Sequence, residues 1–178
     1  YIQTAREMGI SVQPPDVNLS YDSFSVANSD IRFGLAAVKG VGRSFMKQLV
    51  DEREKNGIFT SFQDFCERMY DRELNRRALE CLIKAGAFDG MGGNRPQLLA
   101  VFESAMDANS SLRKQTVDGQ ISLFDMAFGG APLVQENHTL PNLPDYPLRQ
   151  RLALEKEIAG GYITGLALVH LREHKALN

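Results

Sequence analysis

The apolar residues of this chain fall into short stripes at helical spacing, cut apart by glycines. Phe45, Met46, Leu49 and Val50 repeat as one buried helix face that runs to Asn56, with Gly57 ending it. Phe62, Phe65, Cys66 and Met69 form a second stripe, opened by Thr60 or Ser61 with Gln63 and Asp64 in place for a capping box. Asn75 is placed to cap a third, through Ala78, Leu79, Leu82 and Ile83, which Gly86 stops. After the loop Asp89-Gly90-Met91-Gly92-Gly93-Asn94, Arg95-Pro96 opens a fourth through Leu98, Leu99, Phe102 and Met106. A last stripe starts near Arg149 and carries Leu152, Leu154, Ile158 and Ala159 to Gly160-Gly161.

Ahead of these helices, Tyr1 to Met8 fits the end of a helix stopped by Gly9. Ile10-Ser11-Val12 then reads as extended, and Pro14-Pro15 holds the next segment out of a helix. Phe24-Ser25-Val26 and Ile31-Arg32-Phe33 flank Ala27-Asn28-Ser29-Asp30, a small β-hairpin or else an extended irregular segment. Asp51 to Lys55 reads as a solvated last turn of the Phe45 helix.

The stretch from Phe33 to Val50 differs from the rest. A short apolar segment runs into Lys39-Gly40-Val41-Gly42, and an amphipathic segment starts at once with Arg43, which predicts helix, hairpin, helix. Both glycines are expected to take positive φ while Val41 plugs inward, leaving the turn and first-turn amides facing out. Such amides, with the positive end of a helix dipole behind them, suit a phosphate oxygen. Between Ile31 and Lys47 the charged residues are Arg32, Lys39, Arg43 and Lys47, with no acid among them. A local cluster of cations beside a phosphate-sized nest points to nucleic-acid backbone. The alternative is a hairpin whose glycines serve packing alone. The helix, Gly-rich loop, helix arrangement around Gly86 to Asn94 resembles a second, degenerate hairpin, where Arg76, Arg77, Lys84 and Arg95 add to a basic face or are solvated surface charges.

Composition narrows the setting. The chain has 178 residues, 20 Lys and Arg against 22 Asp and Glu, and a net charge of −2, so any contact with DNA is a local patch. Its two cysteines, Cys66 and Cys81, lack metal spacing, fall on apolar helix faces and read as reduced, buried thiols of a cytoplasmic protein. No apolar run approaches the ~20 residues that span a bilayer, so no membrane is expected. The first residue, Tyr1, suggests a piece of something longer. His170 and His174 lie four apart without a third ligand nearby, and the acids are scattered over helix surfaces, so neither a metal site nor a catalytic site is expected.

From Ala108 to Asp118 the composition turns polar and periodicity weakens, which predicts a mobile tether; Phe128 to Pro147, rich in Gly, Pro and Asn, reads as irregular linker. Between them sits Gln120-Ile121-Ser122-Leu123-Phe124. Two adjacent apolar side chains with a glutamine nearby form a docking peptide, Leu123 and Phe124 filling a partner's pocket and Gln120 bonding at its rim. The alternative is that they anchor back on the helical domain.

Taken together, these motifs resemble the bacterial replicative DNA polymerase III alpha subunit family. Ile31-Arg32-Phe33-Gly34-Leu35 leading into Lys39-Gly40-Val41-Gly42 is similar to that family's helix-hairpin-helix entry. Asn75-Arg76-Arg77 with Leu82-Ile83-Lys84-Ala85-Gly86-Ala87-Phe88-Asp89 is similar to its next signature. Pro14-Pro15-Asp16-Val17-Asn18 resembles the close of its fingers region, and Gln120 to Phe124 the peptide that binds its β sliding clamp. Glu155-Lys156-Glu157 before Gly161-Tyr162-Ile163-Thr164-Gly165 resembles the entry to its OB-fold domain; after Gly165 the chain departs from the family's usual His-Pro-Leu. The resemblance implies that the magnesium-binding aspartates of the polymerase lie upstream, leaving no catalytic residue and no cofactor in this stretch.

The expected fold is mostly α: a tandem helix-hairpin-helix domain with a small N-terminal β-hairpin and a largely irregular C-terminal segment. Residues 1–30 would close the fingers region, 31–107 form the DNA-binding domain, 108–147 the linker with its clamp peptide at 120–124, and 148–178 a helix toward an OB-fold domain. Lys39, Gly40, Val41, Gly42, Arg43, Ser44 and Lys47 are the expected contacts to duplex primer–template DNA, and Gln120, Leu123 and Phe124 those to the clamp, among other replisome subunits on the nucleoid. The competing expectation is a helical interaction scaffold of the replisome that no longer touches DNA.

Overall fold

The computed structural model describes Thr4, residues 7–27, 29–117 and 140–160. The N-terminal extended stretch builds a sheet of three very short strands: β1 (Val12–Gln13), β2 (Ser25–Ala27) and β3 (Asp30–Arg32), in the order β1-β3-β2. The antiparallel β2–β3 pair is the expected hairpin, with Val26 opposite Ile31. The parallel partner is new relative to the sequence pattern: Val12 sits beside Ile31, and the Ile31 and Phe33 amides donate to the Ser11 and Gln13 carbonyls at 2.9 and 3.0 Å. A strand of two residues is too short to show an alternation.

Among the described residues five helices follow: α1 (Arg43–Asn56), α2 (Phe62–Met69), α3 (Arg76–Ala85), α4 (Arg95–Val117) and α5 (Leu148–Ala159). Their starts follow the local chemistry read above. Ser61 accepts from the Asp64 amide at 3.1 Å while Asp64 reaches back to the Thr60 amide at 2.9 Å. Asn75 accepts from the Ala78 amide at 2.8 Å. The inward stripes meet in one core, where Phe65 and Phe88 stack edge to face at 4.9 Å and Phe62 joins Phe88 at 5.1 Å. Phe45, Met46 and Leu49 of α1 are buried in that core together with Val38 and Val41 of the hairpin. Each such side chain contributes about 1.5–3 kcal/mol through burial, so the turn is held by its own valines.

Three expectations about these elements need correction. The segment before Gly40 is a single 3₁₀ turn, Leu35–Ala37, rather than a helix. It is pinned at its start: the Leu35 and Ala36 amides donate to the Tyr21 and Asp22 carbonyls, both at 2.9 Å. Gly34 packs so closely that a Cβ would lie 2.5 Å from the Ser23 carbonyl carbon. Secondly, Glu52 and Arg53 are buried, not solvated. Glu52 pairs with Arg68 at 3.0 Å and with Arg72, and Arg53 donates to the Val17 carbonyl at 2.9 Å while stacking over Tyr21. Their partners come from other elements, which helical periodicity cannot show.

Thirdly, α4 continues to Val117 where a tether from Ala108 was expected; good helix formers such as Leu112, Arg113, Lys114 and Gln115 propagate a helix without an apolar stripe. The helix expected from Arg149 forms as α5 and packs on α3. Its Ile158 enters the core, and its Glu155 is buried against Arg95. Residues 140–147 have no regular structure, as expected, but are tied to the start of α4: Asn94 and Gln97 donate to the Leu143 and Pro141 carbonyls, each at 2.8 Å.

Candidate nucleic-acid interface

Between the 3₁₀ turn and α1 the chain reverses in five residues, Val38 to Gly42. Val38 and Val41 point into the core, and the Val41 amide donates to the Val38 carbonyl at 3.4 Å. Gly40 has φ +80°, and a Cβ there would lie 3.1 Å from the Cys81 sulfur of α3. Position 40 therefore demands glycine on two counts, backbone handedness and the helix beneath it.

Gly42 corrects a sequence expectation. Its φ of −74° and ψ of 148° are extended, open to any residue. Nothing lies within 4 Å of a Cβ placed on it. It serves as the N-cap of α1 with no side chain to occupy the cap, and no acid stands in the first turn. Among the described residues no acceptor meets the amides of Gly42, Arg43 and Ser44, the first helical bond being Met46 N–H to the Gly42 carbonyl at 3.1 Å. The start of α1 is thus an exposed set of unmet donors at the positive end of a 14-residue helix.

The cations expected here divide. Arg43 and Lys47 are exposed, one turn apart on α1, and line a cleft of about 480 Å³ with Tyr21, Asp22, Ser23 and Asp51. Neither forms an ion pair among the described residues. Ser44 is exposed, its hydroxyl accepting from Gln48 at 3.3 Å. Lys39 is anchored: its amide donates to the Ile158 carbonyl at 2.9 Å and its ammonium to the Glu157 carbonyl at 3.0 Å. Both acceptors are end-of-helix carbonyls of α5, a favourable place for a cation. Arg32 donates to the Pro14 carbonyl at 3.2 Å.

Around the second glycine turn the side chains mostly face one another. Arg95 is buried, its side chain 2% exposed, and bonds Glu155 at 3.1 Å and Asp89 at 2.8 Å. Arg76 pairs with Asp107, and Lys84 with Glu80 at 2.7 Å. Arg77 alone of this group forms no ion pair or side-chain hydrogen bond with a described neighbour, and its Cγ and Nε lie 3.5 Å from the position of a Cβ on Gly40. The Asn75 cap predicts that Arg77 falls in the first turn of α3, but its placement over the hairpin depends on how α3 and the turn pack.

Cys66 and Cys81 are free and buried; burial pushes the Cys66 thiol up to about 12, and burial also raises that of Cys81. Among the described residues no three His, Cys, Asp or Glu side chains gather as metal ligands, and no helix is long and apolar enough to cross a membrane. Gln120, Leu123 and Phe124, like His170 and His174, lie outside the described residues.

Comparison with known proteins agrees with this architecture. A family model described as a helix-hairpin-helix motif matches residues 9–98, which include the sheet, the Val38–Gly42 turn and the start of α4. The DNA polymerase III subunit alpha of Deinococcus radiodurans is 40% identical over 177 residues, 99% of this chain and 13% of that protein. Those of Saccharopolyspora erythraea and Treponema pallidum are 40% and 38% identical over 92% and 97% of the chain. In these two the matched part is 14% of the relative, so the chain spans about a seventh of the proteins it matches. The chain belongs to the helix-hairpin-helix motif family, and along nearly all its length it is similar to one segment of bacterial DNA polymerase III alpha subunits.

Proposed function

We propose that this chain is the part of a replicative DNA polymerase III alpha subunit that grips duplex DNA without reading its sequence and tethers the enzyme to a sliding clamp. The carrying observation is the start of α1: unmet amides under a bare glycine cap, flanked by Arg43 and Lys47 and facing no first-turn acid. A phosphate oxygen satisfies those donors, and Gly42 leaves room for it to come close. Lys39, Gly40, Val41 and Ser44 complete the contact, Val41 by holding the turn. Backbone contacts of this kind position a duplex and carry no base information.

In this proposal residues 31–107 form the DNA-binding domain and 120–124 the clamp peptide, Leu123 and Phe124 entering the clamp's pocket and Gln120 bonding at its rim. Nucleotide transfer and its magnesium ions belong to other parts of the polymerase, which works in the cytoplasm on the nucleoid. The test is two substitutions in the 178-residue chain, read by titration of a labelled primer–template duplex and by retention on immobilised clamp. Gly42→Val is expected to weaken duplex binding at least tenfold, and Phe124→Ala to lose the clamp while sparing DNA. Unchanged duplex affinity of the first, or undiminished clamp retention by the second, contradicts the corresponding half.

One observation favours a second reading, a replisome scaffold that does not contact DNA: the Lys39 ammonium is held by α5. That reading expects neutral variants at Lys39, Arg43 and Lys47 to behave as the parent in every DNA titration.

A further inference from the structure

Asn75 caps α3 and thereby sets Arg76 and Arg77 as its first two helical residues, about 100° apart around the axis. They diverge accordingly. Arg76 reaches Asp107 of α4 and is neutralised there. Arg77 is exposed and runs over the Val38–Gly42 turn, its Cγ and Nε 3.5 Å from where a Cβ on Gly40 would stand. The nearest acid one turn along α3, Glu80, is taken by Lys84. A cation in the first turn of a helix opposes the helix dipole, so α3 itself gains nothing from an unpaired arginine there.

We propose that Arg77 is a DNA-phosphate contact, supplied from α3, that completes the hairpin's grip by binding the phosphodiester next to the one taken by the start of α1. The inference rests on the hairpin reading given under Proposed function. The guanidinium is a planar fork matched to two phosphate oxygens, and packing of its stem on the glycine turn orders it before DNA arrives. Gly40 then has a further role: a Cβ there would touch the Arg77 stem at 3.5 Å and crowd the Cys81 sulfur at 3.1 Å.

The adjacent arginines give the test its control, since Arg76→Gln and Arg77→Gln remove the same charge one residue apart. Affinity of the 178-residue chain for a labelled duplex is measured at several salt concentrations for the parent, both variants and Arg77→Lys. Arg77→Gln is expected to flatten the log K against log salt slope by about 0.9, one phosphate's worth, and Arg76→Gln to keep the parent slope. Arg77→Lys is expected to keep the slope with a several-fold weaker affinity, because it keeps the charge and loses the fork. A parent that binds with an Arg77→Gln slope equal to its own overturns the inference and leaves the hairpin reading standing. Equal losses in the two glutamine variants also overturn it, since net charge alone would then account for both. A parent that binds no duplex at any salt overturns both.

Discussion

The two glycine turns of this domain carry similar sequence chemistry and treat it in opposite ways. Around Gly86 to Asn94 the guanidinium of Arg95 is drawn inside, between Asp89 and a fully buried Glu155, and the segment 140–147 is bonded across the start of α4. Around Val38 to Gly42 the valines go inside, no acid stands in the first turn of α1, and Arg43 and Lys47 remain exposed without an ion pair among the described residues. One turn satisfies its charges within the fold and holds α3, α4 and α5 together. The other gives Lys39 to the end of α5 and leaves Arg43 and Lys47 exposed. Basic residues near glycines therefore do not mark a phosphate site until their partners are known.

The largest expected effect breaks the closed turn. Arg95→Ala removes the guanidinium that pairs with the buried Glu155, 0% exposed, and with Asp89, and should cost about 3–5 kcal/mol of stability in urea unfolding. A loss below about 1 kcal/mol would show that α5 is not held by this pair. Next comes Gly86→Ala. Gly86 has φ +83°, and a Cβ would overlap the Arg95 guanidinium, so a loss of about 1–3 kcal/mol is expected with duplex affinity unchanged. Gly42→Val should do the reverse, costing about 1 kcal/mol or less in thermal unfolding through a poorer cap while weakening duplex binding. Comparable stability losses at the two glycines would erase the contrast between the turns.

A smaller effect concerns the far end of α1. Burial pushes the Glu52 carboxyl up, but hydrogen bonds from Asn56 and Arg68 and the charge of Arg72 outweigh it and hold its pKa below the ordinary value of 4.5. A lowered folded-state pKa contributes stability that is present above the unfolded value and lost as pH falls through the folded one. Acid unfolding should therefore deepen below about pH 4.5 in the parent. Glu52→Gln should flatten that limb, and an unchanged limb would remove Glu52 from the account.

What could be read in the sequence follows from how local its causes are. Helix stripes, the Ser61 and Asn75 caps and the stops at Gly57 and Gly86 depend on residues a few positions apart, and they were legible. The parallel pairing of β1 with β3, the burial of Glu52 and Arg53 and the docking of α5 depend on partners distant in the chain, and no periodicity announces them. At the candidate site the Gly-Val-Gly turn and its flanking cations were legible. The hold of α5 on Lys39 and the lie of Arg77 over Gly40 were not, because each joins elements that only packing brings together. The extended backbone of Gly42 runs against the habit of assigning positive φ to each glycine of a turn. There the glycine leaves space outside the fold rather than handedness within it.

The most direct test of the open turn is the salt dependence of duplex affinity, by fluorescence anisotropy, for the 178-residue chain and a variant with Lys39, Arg43 and Lys47 all changed to glutamine. The account predicts saturable parent binding whose log K falls with log salt at a slope of about −2 to −4, two to four phosphates' worth, and loss of that binding in the triple variant. Parent and variant binding alike, or no parent binding even at low salt, would contradict it and leave the scaffold reading in its place.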